Sequence, residues 1–168
     1  NTSIGLAATG SGDISSFIGQ NTGSVPQTAN IIVTPQFSFG GLTCPGGTQN
    51  FSISVNPSPI IAYNQVSPQP VCSNSATNSV TISSPTPNTN FTWNIPSVPA
   101  GINGLNVTSG TNVIPSYTLV NTTSLPITIN FVVNASTSVG SCPGVSSTYT
   151  ITVNPSPTAV STNPIVVC

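Results

Sequence analysis

The chain repeats itself at a spacing of 98 residues. Val55-Asn56-Pro57-Ser58-Pro59 returns as Val153-Asn154-Pro155-Ser156-Pro157, and Cys44-Pro45-Gly46 returns as Cys142-Pro143-Gly144. Phe51-Ser-Ile-Ser-Val55 matches Tyr149-Thr-Ile-Thr-Val153 at the same offset. Upstream, Ser16-Phe17, Asn21-Thr22 and Pro26 match Ser116-Tyr117, Asn121-Thr122 and Pro126 at an offset of 100, so a two-residue indel lies between the two sets. Self-similarity at a fixed period marks a tandem array. In 168 residues this period leaves room for one whole repeat and parts of two others. Residues 1–61 read as the C-terminal part of one repeat and 62–157 as a complete repeat. Residues 158–168 read as the start of a further repeat or a linking strand, with Pro164-Ile-Val-Val-Cys168 echoing Pro70-Val71-Cys72. The chain is out of phase with its own domains.

The period is the size of an immunoglobulin-like sandwich, about 100 residues. Apolar residues make up 36% of the chain, much of it Val and Ile, which favour strands. The 14 Gly and 17 Pro suit turns between short strands. Alternation and turn punctuation predict strands at 30–34, 50–55, 79–83, 90–94, 104–108, 116–120, 126–134 and 148–154. No helical stripe of useful length is present. Pro-rich stretches at 57–70 and 155–164 read as stiff linkers. The fold class is all-β, a tandem of Ig-like sandwiches.

Charge excludes most chemistry. The chain has no Lys, Arg or His, and Asp13 is its one carboxylate. Asn, Ser and Thr supply 69 of its 168 residues, so its polarity is neutral. A serine nucleophile needs a base to activate it, and none exists here. No basic patch can neutralise phosphates, which argues against nucleic acid. No Lys means no Lys–Asn isopeptide crosslink and no trypsin site, which suits a durable extracellular material. Asp13 alone is a poor calcium ligand and reads as a turn residue after Gly12. No metal or other cofactor is implied. The chain is not expected to be an enzyme.

Cys44, Cys72, Cys142 and Cys168 lack metal-ligand spacing and a His partner, so disulfides in an oxidising compartment are expected. The order Cys72…Trp93…Cys142 is that of an Ig sandwich pin. It predicts a Cys72–Cys142 disulfide with Trp93 in the core. Cys44 and Cys168 are then an inter-chain pair if copies join end to end. Asn-x-Ser/Thr sequons at Asn1, Asn50, Asn90, Asn106, Asn121 and Asn134 are candidate glycosylation sites, against ordinary strand and turn polarity. Tyr63 and Tyr117 either stack on sugars or pack in the core. Thr148, Thr150 and Thr152 read as the solvent face of a half-buried strand rather than an ice-binding face. No stretch reads as a signal peptide or a membrane span. The chain does not begin with Met and reads as processed, or as a segment of something longer.

The run Ile4-Gly-Leu-Ala-Ala-Thr-Gly-Ser-Gly-Asp-Ile14, then Ser16-Phe17, Ala29-Asn-Ile-Ile-Val-Thr-Pro35, Cys44-Pro-Gly46 and Phe51-Ser-Ile-Ser-Val-Asn-Pro-Ser-Pro59, resembles the PKD-like tandem repeats of Bacteroidota surface proteins. Those repeats occur in very large gliding-motility-associated adhesins exported by type IX secretion. The second repeat has Thr111-Asn112-Val113 in place of the Gly-Asp-Ile element. The resemblance implies an extracellular, cell-surface array forming a stalk, adhesin or filament, with no catalytic residue. Its partners would be further copies or adjacent repeats, through stacking and strand sharing. The alternative is a tandem Ig-like binding module that recognises glycans or a host surface.

Overall fold

The computed structural model describes residues 2–159, and Cys168 lies outside that range. Its contacts divide the chain into two compact units. The first holds Asn1–Ile60 with the loops Ser84–Thr89 and Ser136–Val145, and the second holds the remaining residues.

The first unit opens with a 3₁₀ turn, Thr2–Ile4. Four strands follow: β1 (Gln27–Val33), β2 (Gln36–Phe39), β3 (Leu42–Pro45) and β4 (Gln49–Val55). β1 pairs antiparallel with β4, and β2 with β3. The tip between β2 and β3 is Gly40-Gly41, both at positive φ. Glycine takes that conformation without steric cost, and Gly-Gly between alternating apolar residues is a hairpin signal.

The remaining strands are β5 (Ala62–Tyr63), β6 (Gln69–Cys72), β7 (Ser75–Ala76), β8 (Val80–Ser83), β9 (Thr89–Asn94), β10 (Ile102–Asn103), β11 (Ser109–Thr111), β12 (Val113–Ile114), β13 (Thr118–Asn121), β14 (Ile127–Thr137) and β15 (Ser147–Asn154). A five-stranded sheet runs β11-β9-β14-β15-β6, with two three-stranded sheets, β12-β8-β5 and β10-β13-β7. β6 runs parallel to β15, whereas β10–β13, β11–β9, β12–β8, β13–β7, β14–β15 and β5–β8 pair antiparallel.

Period-two alternation builds the core. β14 buries Ile129, Phe131, Val133 and Ala135, and β15 buries Tyr149, Ile151 and Val153. Phe91 and Trp93 of β9 complete that layer. Val80, Ile82, Ile114 and Leu119 form the facing one. Trp93 meets Phe131 edge-on at 5.7 Å, and its indole N–H donates to the Val113 carbonyl at 2.8 Å. Its position in the core agrees with the sequence. Fully burying an indole requires a partner for its N–H, and β12 supplies one.

Three strand readings change. Residues 104–108 are not a strand. Gly104 sits at φ 92°, where a Cβ would strike the Thr118 carbonyl, and the chain leaves the sheet there. The expected linker 57–70 contains β5 and the first half of β6. Pro70 is tolerated in β6 because that strand is the sheet edge, where a missing N–H breaks no inner ladder. The β2–β3 hairpin is the third difference.

Gly110 pairs with Trp93 across β11 and β9, and a Cβ there would lie 2.8 Å from the indole ring. Gly110→Val is expected to push Trp93 off its rotamer and cost about 1–3 kcal/mol. Chemical denaturation with tryptophan fluorescence would show it as a lower midpoint. An unchanged midpoint would mean that β11 yields freely.

Candidate functional site

The two units contain the same hairpin. β1–β4 pairs Ala29 with Ile53, Ile31 with Phe51 and Val33 with Gln49. β14–β15 pairs Ile129 with Ile151, Phe131 with Tyr149 and Val133 with Ser147. Under offsets of 100 and 98 these are the same register. Asn121 clamps the second hairpin. Its amide nitrogen donates to the Leu125 and Val153 carbonyls at 2.8 and 2.9 Å, and its oxygen accepts from the Thr123 N–H at 2.9 Å. Asn21 does the same in the first, donating to Val25 and Val55 at 2.9 and 2.8 Å and accepting from Gly23 at 2.9 Å. Thr28 with Ser54 repeats Thr128 with Thr152.

The indel also has a place. Gln36↔Pro45 corresponds to the isolated bridge Ser136↔Pro143. Between them the first repeat has Ser38–Thr43 and the second only Ser138–Ser141, so the two extra residues lengthen the β2–β3 hairpin. The sequence signal was Gly40-Gly41 flanked by apolar residues.

The hairpins differ in what covers them. On β14–β15 the inward positions Ile129, Phe131, Val133, Tyr149, Ile151 and Val153 are fully buried. At the equivalent positions of β1–β4, Ala29 is buried, Ile31, Ile53 and Val55 are half-buried, and Val33 and Phe51 are 46% and 45% exposed. β14 and β15 lie inside a five-stranded sheet, whereas β1–β4 is a two-stranded sheet on its own. Among the described residues, the outer edges of β1 and β4 have no strand partner. The unit also carries an open depression of about 450 Å³ lined by Asn30, Ile31, Ile32, Asn50, Phe51 and Ser52. Phe37 and Leu42, each 69% exposed, and Phe39, 79% exposed, stand on the β2–β3 hairpin. This uncovered, neutral, strand-edged surface is the candidate site. It is built for apolar contact and main-chain pairing.

The Cys72–Cys142 disulfide expected from sequence order is not formed, and both thiols are free, as is Cys44. Cys72 stands opposite Asn154, just past the level of Ile127 at the start of β14. The Cys142 N–H donates to the Thr137 hydroxyl at the far end of that strand. A disulfide needs Cα atoms within about 7 Å, and neither thiol has a disulfide partner among the described residues. Order along the chain carried no register. Cys44 is exposed, and its expected partner Cys168 lies outside the described residues.

Among the candidate glycosylation sites, Asn50, Asn90, Asn106 and Asn134 are exposed, while Asn1 lies outside the described residues. Asn121 is buried and spends its amide on the clamp, so a glycan there is incompatible with the fold. Tyr117 is core, with its hydroxyl donating to the Val107 carbonyl at 2.8 Å. Tyr63 is half-buried against Tyr149 at 5.1 Å. Thr148 is exposed, Thr150 and Thr152 are half-buried, and the last two hydroxyls lie 3.2 Å from those of Ser67 and Thr128. Asp13 is exposed in a bend after Gly12, which is at positive φ. Among the described residues no group of three His, Cys, Asp or Glu side chains could hold a metal. No described helix is long and apolar enough to cross a membrane.

A family comparison matches residues 69–157 to the PKD-like domain. The chain belongs to the PKD-like domain family. The match covers β6 through β15, and the all-β sandwich is the fold of that family. PKD-like domains are typically extracellular, non-catalytic modules of adhesins and structural repeats. No curated protein matches the chain.

Burial raises the Tyr117 phenol to about 12, and burial raises Tyr63 and Tyr149 in the same direction. A phenol whose folded value is raised stabilises the fold fully below its unfolded value, near 10, and that contribution is lost as pH climbs toward the folded value. The urea midpoint is therefore expected to hold steady up to about pH 9 and fall between about pH 10 and 12. A midpoint that stays level to pH 12 would contradict it.

Proposed function

We propose that this PKD-like chain is a structural module of an extracellular filament or adhesin stalk, in which successive copies or repeats cover one another's open sheets. One observation carries the reading. The same clamped hairpin occurs twice, sealed in one copy and uncovered in the other. A hairpin alone is marginal in water, and an unpaired strand edge is a template for another strand. The chain has no Lys to blunt such edges. Repeat arrays derive their stability from each unit plus its interface with the next. The cell-surface setting, and a place among the large secreted adhesins of Bacteroidota, belong to the same reading.

The second reading, a binding module for glycans, is favoured by Phe37 and Phe39, whose exposed rings on the β2–β3 hairpin could stack on sugar faces. Electron microscopy of native material, without ligand, separates the two. The structural reading expects continuous fibres with a regular subunit repeat, in low and high salt alike, because no charged pair holds the interface. Discrete particles retained on a polysaccharide column would reject it in favour of the binding module.

A glycan coat on the exposed sequons would solubilise a surface that lacks charge. Peptide mapping of native material should then place modifications on Asn50, Asn90, Asn106 or Asn134 and none on Asn121. A modified Asn121, or none of the four, would defeat that idea.

A further inference from the structure

We infer that the loops Ser84–Thr89 and Ser136–Val145 form a receptor for the segment Val55-Asn56-Pro57-Ser58-Pro59, which is a seated peptide rather than a free spacer. The inference deepens the array reading, on which its role rests. It names the contact by which one repeat holds the segment that leads out of another.

Three observations support it. First, both loops belong by sequence to the complete repeat, yet they fall in the compact unit that holds Asn1–Ile60. In that unit Pro57 and Pro59 are buried and Asn56 is half-buried. The same five residues recur at 153–157, where Pro155 is half-buried and Pro157 exposed. Burial of the prolines is therefore not a property of the pentapeptide alone. Second, Gly140 sits at φ 76°, where glycine meets no steric cost. A Cβ there would strike the Asn56 amide nitrogen and lie 3.7 Å from the Cys142 Sγ. The Asn56 carboxamide thus occupies room that exists because residue 140 has no side chain. Third, the loops are shaped by their own bonds. The Ser138 N–H and hydroxyl both donate to the Asn88 carbonyl, at 2.9 and 3.2 Å, and tie one loop to the other. The Thr89 hydroxyl donates to the Thr86 carbonyl at 2.7 Å, and the Thr137 hydroxyl to the Val139 carbonyl at 2.8 Å. Asn88 and Ser141 hold positive φ values of 55° and 49°. Asparagine tolerates that region, but serine has no such preference, so its neighbours must hold Ser141 there. Such strain clusters at ligand clamps.

The ligand suits the receptor. Its prolines arrive with φ already fixed, so seating costs little conformational freedom. Asn56 is kept extended by the proline that follows it. The Asn21 amide donates to the Val55 carbonyl at 2.8 Å, which fixes the point where the segment leaves β4. Recognition is by shape and one carboxamide, without charge. The partner class is a neutral Asn-Pro-Ser-Pro peptide.

The test uses the full chain with Cys44, Cys72 and Cys168 changed to Ser, leaving Cys142 as the one native thiol. Asn56→Cys is added and a short thiol–thiol crosslinker applied. A link between 56 and 142 within one chain is expected, identified by peptide mapping and by mixing isotopically heavy and light copies. Asn154→Cys, at the same place in the second pentapeptide, should link to 142 at least about tenfold less, because effective concentration sets the yield. Gly140→Val, which fills the seat, and Pro57→Gly, which loosens the ligand and leaves the loops intact, should each lower the 56–142 yield severalfold. Tryptophan fluorescence checks that each variant keeps its core. Equal yields from positions 56 and 154, no link at 56, or an unchanged yield in either variant would overturn the receptor. Fibres formed by a chain that gives no 56–142 link would overturn it while sparing the filament reading. A 56–142 link that responds to both variants, in a chain that forms no fibres, would uphold the receptor and defeat the filament.

Discussion

Everything in this chain turns on covering one face of a two-stranded hairpin. A hairpin with seven paired residues a side satisfies its own inner backbone, but an apolar stripe remains on one face. In β14–β15 that stripe reads Ile129, Phe131, Val133, Tyr149, Ile151 and Val153, and each is sealed beneath the facing layer. Burying one such side chain is worth roughly 1.5–3 kcal/mol, which is large against a net stability of about 5–15 kcal/mol for a domain. β1–β4 presents the equivalent stripe with Val33 and Phe51 nearly half open. The apolar surface left there is therefore a standing drive for another strand layer to cover it.

The second constraint is neutrality. With one carboxylate and no cationic side chain, no side-chain ion pair forms among the described residues. Orientation comes from neutral hydrogen bonds such as the asparagine clamp. Asparagine suits that position because its amide both donates and accepts, so one side chain ties the turn to the last strand of the hairpin. Aspartate would keep the acceptor and lose both donations to carbonyls. Each bond nets only about 1 kcal/mol, but a buried carbonyl left without its donor costs more. The absence of charge has a further effect on assembly. Strand edges in most soluble proteins are defended by lysine or by inward-pointing charge. Here the described defence is Pro70, which sits on the edge strand β6.

Long alternating strands were legible in the sequence because the period is local. The stretches read at 126–134 and 148–154 are the cores of β14 and β15, and those at 30–34 and 50–55 fall on β1 and β4. The burial of Trp93 was legible from its order between two cysteines, although the pairing of those cysteines was not. Trp93 is buried because Val113 meets its N–H and Gly110 leaves it room, and neither fact depends on a disulfide. The pairing failed because sequence order does not fix which end of a strand a residue occupies. The shortest strands escaped as well. β5 and β6 have two and four residues within proline-rich sequence, and they exist only because longer neighbours offer them an edge. The uncovered face was half legible. The repeat arithmetic matched the segments that form β1–β4 to those that form β14–β15, but only their shared register says which face is left open.

The polarity of an added strand decides what kind of object results. Two copies of β4 meeting antiparallel would satisfy each other through a two-fold axis and stop at a dimer. β15 instead takes β6 in parallel, although antiparallel pairing is the commoner choice among sheets. Parallel strands cannot be joined by a tight turn and need a long crossover. A chain that fills such an edge from within must bring the strand from far away in sequence, as β6 reaches β15 across more than seventy residues. An edge that needs a distant strand is equally open to a strand from another molecule, since neither route is favoured by a short connection. The loop-closure entropy saved by a local hairpin is absent here. Cis and trans pairing then differ mainly in effective concentration, which a tethered array or a crowded cell surface raises. A parallel edge strand is therefore suited to a link between distant parts of one chain, as β6 on β15 is, and in the proposed array to a link between repeats.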